Sequence, residues 1–250
     1  MTGDVPAEAP TVPRQAFIPP DVRHLPMRVL HADDAIAVVV KPPELLSCPG
    51  TSTPNWDSVT LRAQELFPHA TGPLLVHRLD APTSGLMVLA LTAASHKALS
   101  HQFAKRVVSK QYDAVCEPIS LDVKRLIVGD SGALDLSLRL DWPRRPLQIV
   151  DAVRGKAART EWKVVATNHI TTDALHLRLA PITGRTHQLR VHLAIGLGYP
   201  IIGDRLYGRD PAEALHSRQR LRLHASALAF THPSSGERMA FVDRPDFLET

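Results

Sequence analysis

The stretch HRLDAPTSG, residues 77–85, sets a cation at Arg78, a carboxylate at Asp80 and hydroxyls at Thr83 and Ser84 directly before a long apolar run. A carboxylate at the entrance to a buried strand has two explanations. It closes a turn, or it is held where an acid, a base or a nucleophile is needed. A second polar concentration, PITGRTHQLRVH, occupies residues 181–192. Thr183, Arg185, Thr186, His187, Gln188, Arg190 and His192 share one strand-to-helix junction there. One capping side chain suffices to start a helix, so this set exceeds what a helix start requires. A salt-bridged helix end is the structural alternative.

Other catalytic templates fit these residues poorly. HRLD breaks the order of a kinase catalytic loop, and neither Asp-Phe-Gly nor a glycine-rich phosphate loop accompanies it. GDSG at 129–132 has the look of a protease nucleophile turn and would make the chain a hydrolase. A β-turn explains the same four residues. The only two cysteines, Cys48 and Cys116, give no disulfide framework. His187 and His192 point about 140° apart on a helix, whereas a metal pair needs one face. No Cys/His metal spacing and no Walker or Rossmann glycine pattern occurs, so neither a metal nor a nucleotide cofactor is expected.

Charge adds a partner class. The 250 residues carry a net charge of +4. Residues 1–138 hold 12 basic and 14 acidic side chains, and residues 139–250 hold 17 and 11, so the excess lies in the second half. Clusters stand at Arg144/Arg145, Arg154/Lys156/Arg159 and Arg218/Arg220/Arg222. Arginine binds phosphate bidentately and stacks on bases, which suits a nucleic acid. No apolar run approaches a membrane span. With no secretory pattern and few cysteines, a cytoplasmic setting and no membrane partner are expected.

The elements that must position these groups can be read from periodicity. Residues 1–26 contain six prolines and are expected to form an extended or disordered arm. Residues 35–43 and 85–91 are continuous apolar runs, hence buried strands. Helices are expected over 57–67, capped by Asp57 with Val59, Ala63 and Leu66 inward, and over 93–106, with Ala94, Ala98 and Phe103 inward. Strands follow at 110–117, 160–167 and 173–181, the last two forming a hairpin. Residues 185–197 show a helical face of Leu189, Leu193 and Leu197, and two late strands close the chain. Many strands, few helices and no βαβ rhythm argue for an α+β fold with a large mixed, mainly antiparallel sheet over residues 27–250.

HRLDAPTSGLMVLA, KQYDAV, PITGRTHQLRVHLAIGLGYPIIGDRLYG and RLRLHASALAFTHP, in unbroken order from about Asp33 to Asp246, together resemble the RluA-type pseudouridine synthases. VVVKPPELLSCPG resembles their N-terminal signature, except that Glu44 stands where the family usually has glycine. The backbone at Glu44 is expected to be less permissive. LLSCPG, DWPRRPLQ and GKAARTEW are closer to the branch that modifies both a 23S rRNA hairpin and the anticodon stem-loop of tRNA. Many relatives begin with a small S4-type RNA-binding domain, and none is expected here.

The resemblance implies a pseudouridine synthase catalytic fold, with an active-site cleft across the sheet and the helices and loops around it. It also implies an isomerase that needs no cofactor, acts as a monomer and binds RNA. By resemblance Asp80 is the essential aspartate, as nucleophile or as base. Tyr112 stacks on the flipped uracil, and Arg190 pairs with the aspartate. Arg78 fills the gap left by the base. His77, Thr83, Arg185, His187 and Gln188 complete the expected substrate-binding set, with His77 supporting the loop. A single-site tRNA synthase of the same family and a non-catalytic RNA-binding protein are the alternatives.

Overall fold

The computed structural model describes residues 21–50, 57–168, 173–210 and 219–248. Ten strands form one sheet: β1 (Arg28–Ala32), β2 (Ile36–Lys41), β3 (Ser84–Ala90), β4 (Ser109–Cys116), β5 (Ser131–Leu140), β6 (Gln148–Val150), β7 (Lys156–Asn168), β8 (Ala174–Pro181), β9 (Leu223–Thr231) and β10 (Arg238–Val242). Their order is β1-β2-β3-β9-β4-β8-β7-β5-β6, with β10 on β9. Every pairing is antiparallel except β3 with β9, which is parallel at Ser84–His224 and Gly85–Ala225. The α+β class and the large, mainly antiparallel mixed sheet follow the expectation.

The continuous apolar runs are explained by burial on both faces. Ala37, Val39, Met87 and Leu89 pack with Val59 and Ala63 of helix α1 (Val59–Leu66). Ile36, Val38, Leu86 and Val88 pack on the other side with Leu99 of α2 (Ala93–Ala104) and with Phe230. A separate cluster joins Ala114, Val164, Leu175, Leu177 and Leu179 to Leu189 and Leu193. Those two leucines lie on α3 (Gln188–Val191) and the π-helical turn His192–Leu197 that continues it.

Several local expectations are corrected. Ser58, not Asp57, caps α1, its hydroxyl accepting from the Leu61 N–H. Asp57 instead pairs with Arg62, 2.8 Å from Nε. Leu66 is exposed, because only Val59 and Ala63 of α1 reach the core. In α2 Phe103 packs inward as expected, but the fully buried residues are Ser95 and Leu99, one on from Ala94 and Ala98, and Ala94 is exposed. GDSG forms a turn around Gly129 (φ 98°) that leads into β5, a strand the periodicity did not announce.

The expected arm is packed at its end. Val22 and Leu25 lie against the α1 cluster, and the Arg62 guanidinium donates to the Leu25 carbonyl at 2.5 Å and the Val22 carbonyl at 2.9 Å. Residues 1–20 of that arm, and Arg218, lie outside the described residues.

Candidate active site

Asp80 stands on a turn fastened from three directions. The Thr83 N–H donates to the Asp80 carbonyl at 3.0 Å and closes the turn. Just before it, the Leu79 N–H donates to Ser47 Oγ at 3.1 Å, and the Ser47 hydroxyl donates back to the Leu79 carbonyl at 2.7 Å. Just after it, Lys41 Nζ donates to the Ala81 carbonyl at 2.8 Å and to those of Leu45 and Pro42 at 2.7 and 3.1 Å. Lys41 is fully buried, and burial brings its pKa down to about 7 against the opposing pull of Glu44 and Asp80. Gly85 (φ +115°) lets β3 press on β9, since a Cβ there would lie 2.4 Å from the Ala225 carbonyl oxygen.

The opposite wall comes from the second polar cluster. Arg190, buried on α3, holds Nη1 3.7 Å from Asp80 Oδ2. Its main partner is Asp204: Nε donates to Oδ2 at 2.8 Å and Nη2 to Oδ1 at 2.6 Å. The expected Arg190–Asp80 pair is therefore present, as the longer of two contacts that Arg190 makes. A planar guanidinium forks onto one carboxylate and still points a third nitrogen at another. Burial works against the charge on Arg190, but the Asp204 carboxylate outweighs it and raises its pKa. Burial likewise opposes charge on Asp204, and Arg190 with the Leu206 and Tyr207 N–H groups lowers its pKa.

His187 faces Asp80 from the same wall, with Nε2 4.0 Å from Oδ2. Burial lowers its pKa, more than Asp80 raises it. Tyr112, on the central strand β4, lies between the two halves and touches both adjacent core clusters. Burial first, and then the Asp80 carboxylate, push its phenol well above the ordinary range. Together these groups line a cleft of about 100 Å³ with Arg78, Thr83, Lys110, Arg185 and Gln188.

Most of the predicted residues therefore meet in one place. Asp80, Tyr112, Arg190, Arg78, Thr83, Arg185, His187 and Gln188 all border the cleft. His77 does not. Its Nε2 accepts from the Val88 N–H at 3.1 Å, and its ring stacks on Phe103 at 4.6 Å, so it braces β3 from behind. Gln188 is there with its hydrogen bonds already made. Its Oε1 accepts from Thr183 Oγ1 and the Arg185 N–H, and its Nε2 donates to the Arg159 carbonyl and Thr160 Oγ1, all within 3.0 Å. It pins β7 to α3 rather than offering groups to a ligand.

The basic clusters are also sorted by pairing. Arg154 and Arg159 are engaged by Asp151 and Asp135, and Arg220 by Asp246. On the β5–β6 connection Arg144 pairs with Asp141 at 2.7 Å while its side chain stays largely solvent-facing, and Arg145 is exposed over the Trp142 ring at 4.2 Å. Lys41, Asp204 and Tyr207 were not singled out from sequence. A lysine ending the run VVVK was the one signal that could have marked Lys41, since a charge inside a buried strand needs partners.

Residues 35–195 match the family model for RNA pseudouridylate synthase. The dual-specificity RNA pseudouridine synthase RluA of Yersinia pestis is 43% identical over 221 residues, covering 88% of this chain and 100% of that protein. This chain belongs to the RluA-type RNA pseudouridine synthases. The RluA of Escherichia coli strain K12 is likewise 43% identical, across 88% of this chain and 93% of its own length. Among solved structures, human RNA pseudouridylate synthase domain containing 4 superimposes with a TM-score of 0.64 at 27% identity, covering 88% of this chain and 90% of that one. Human RNA pseudouridylate synthase domain containing 1 shares the fold, with a TM-score of 0.69 at 24% identity over 89% of this chain and 84% of that one. The pseudouridine synthase is thus an isomerase acting on RNA. Among the described residues no helix is long and apolar enough to cross a membrane.

Proposed function

We propose that this pseudouridine synthase modifies two RNAs, a 23S rRNA hairpin and a tRNA anticodon stem-loop, and that Asp80 is its catalytic carboxylate. The reaction conserves every atom. The N1 glycosidic bond breaks, the uracil turns, C5 bonds to the sugar, and the C5 proton is released while N1 gains one. A stacked base cannot turn, so the nucleotide must leave the helix, at a cost of a few kcal/mol. The single observation that carries the assignment is the placement of Asp80. Its carboxylate is about a quarter exposed, held on a triply fastened turn, and faced by Arg190 and His187.

Around it the remaining roles fall to residues that suit them. Tyr112 presents a ring on which the flipped uracil stacks. Arg78 is exposed at the cleft, where it can take the place of the extruded base. Arg144 and Arg145 reach phosphate from the β5–β6 connection. The dual substrate is supported by the relatives named dual-specificity that match almost the whole chain. We read residues 27–250 as one catalytic domain, since β9, late in the chain, bonds to β3 on one side and β4 on the other. We further read the enzyme as a cofactor-independent cytoplasmic monomer.

Tritium release from RNA labelled at uridine C5 tests this directly. The wild-type enzyme should release label from both substrates. Asp80→Asn should release none while still binding RNA. Release from tRNA alone overturns the dual substrate, and an Asp80→Asn enzyme with more than a few per cent of normal turnover overturns the site.

A further inference from the structure

Tyr207 lies behind the cleft and touches two of its residues, His187 and Arg190, together with β6. Its hydroxyl accepts from the Gln148 N–H at 2.7 Å, and it stands 2.7 Å from His187 Nδ1. The Arg190 guanidinium lies 5.2 Å above its ring. A phenol has one proton to give. With the Gln148 N–H already donating to its oxygen, the hydroxyl satisfies its own proton by donating to His187 Nδ1, which is bare in that arrangement. The other end of the imidazole agrees. Nε2 faces Asp80 Oδ2, and a carboxylate can only accept. His187 itself has φ 53°, a left-handed conformation that non-glycine residues adopt only when their surroundings over-determine it.

We propose that Tyr207 is a positioning residue for the isomerisation: it holds His187 as the neutral Nε2–H tautomer, so that the ring presents a hydrogen-bond donor beside Asp80. This rests on the reading of Asp80 as the catalytic carboxylate. The donor serves the Asp80 carboxylate, or a uracil carbonyl brought between the two. Burial of His187 favours the uncharged ring that this requires. Gln148 begins β6, where the loop bearing Trp142, Arg144 and Arg145 ends, so the same hydroxyl ties that loop to the cleft.

Long-range proton–nitrogen correlation on histidine-labelled enzyme reads which ring nitrogen carries the proton. In the wild-type enzyme His187 should be protonated at Nε2 and bare at Nδ1. Tyr207→Phe keeps the ring over Arg190 and loses only the hydroxyl. It should lose that tautomer bias, and kcat should fall by about 10- to 100-fold, as for other orienting partners, with KM little changed. His187→Gln, whose amide N–H falls near the lost Nε2–H, should retain more turnover than His187→Asn, whose amide falls near Nδ1. A wild-type ring protonated at Nδ1, or a Tyr207→Phe enzyme with unchanged kcat, overturns the proposal. The tautomer is read without any turnover. An active Asp80→Asn enzyme with His187 protonated at Nε2 would therefore refute the role of Asp80 and not the role of Tyr207.

Discussion

Arg190 and Asp204 form a buried bidentate pair, with contacts of 2.8 and 2.6 Å, and this pair sets the direction of the one nitrogen that Arg190 turns to Asp80. Asp204 is in turn held by the Leu206 and Tyr207 N–H groups, at 2.9 and 3.1 Å. The cation opposite Asp80 is thus fixed from the side away from that carboxylate. Asp204→Asn would leave Arg190 buried beside a neutral amide. Removing one partner of a buried pair costs about 3–5 kcal/mol. Denaturant unfolding should show a loss of that order, and turnover should fall even at temperatures where the variant is fully folded. A variant as stable and as active as the wild type would show that Arg190 needs no such anchor.

Tyr112→Leu should keep the fold, because the ring fills an apolar wall between two core clusters and leucine can occupy much of it. Turnover should be lost. Stacking of a base on an aromatic ring is worth roughly 1–3 kcal/mol, so RNA affinity should fall modestly beside the loss of catalysis. Near-normal tritium release would remove Tyr112 from the site.

Glu44 holds φ 64°, in the left-handed region that favours glycine, the residue that the sequence resemblance predicts there. Its carboxylate meets Arg205 at 3.5 Å. Glu44→Gly and Glu44→Ala both lose that contact, but only glycine adopts the backbone freely. The glycine variant should therefore be the more stable of the two by about 1 kcal/mol, read as the difference in unfolding midpoint. The reverse order would mean that the left-handed turn is not strained.

His192 is fully buried, and among the described residues neither of its ring nitrogens has a hydrogen-bond partner. Burial brings its pKa down to about 4, against a small opposing pull from Asp135. The folded state thus keeps the ring neutral, while the unfolded chain takes up a proton below about pH 6.5. The stability tied to this ring is complete above that value and is lost as pH falls toward 4. His192→Leu should flatten this part of the acid slope. Relative to wild type it should gain about 2 kcal/mol on going from pH 8 to pH 5, at roughly 1.4 kcal/mol per unit. Equal pH dependence in the two proteins would place the acid lability elsewhere.

The sequence by itself determined the sheet class, the buried strands β2 and β3, and the segments that carry Asp80, Tyr112 and Arg190. Those features are local. A continuous β-branched run, a turn rich in hydroxyls and a polar helix start each declare themselves within about a dozen residues. Val59, Ala63 and Phe103 turn inward as expected, but Leu66 and Ala94 do not, because the inward face depends on what covers it rather than on composition. Only the tertiary structure decided which carboxylate takes the Arg190 fork, that Gln188 is already fully hydrogen-bonded, and that His77 braces β3 from behind. It also placed Lys41 under the Asp80 turn, 40 residues away in sequence, and Tyr207 behind His187. These are pairings between distant segments. Their energies come from geometry at buried polar atoms, where a shift of about an ångström makes or breaks a hydrogen bond. Residue type and spacing alone do not encode that geometry.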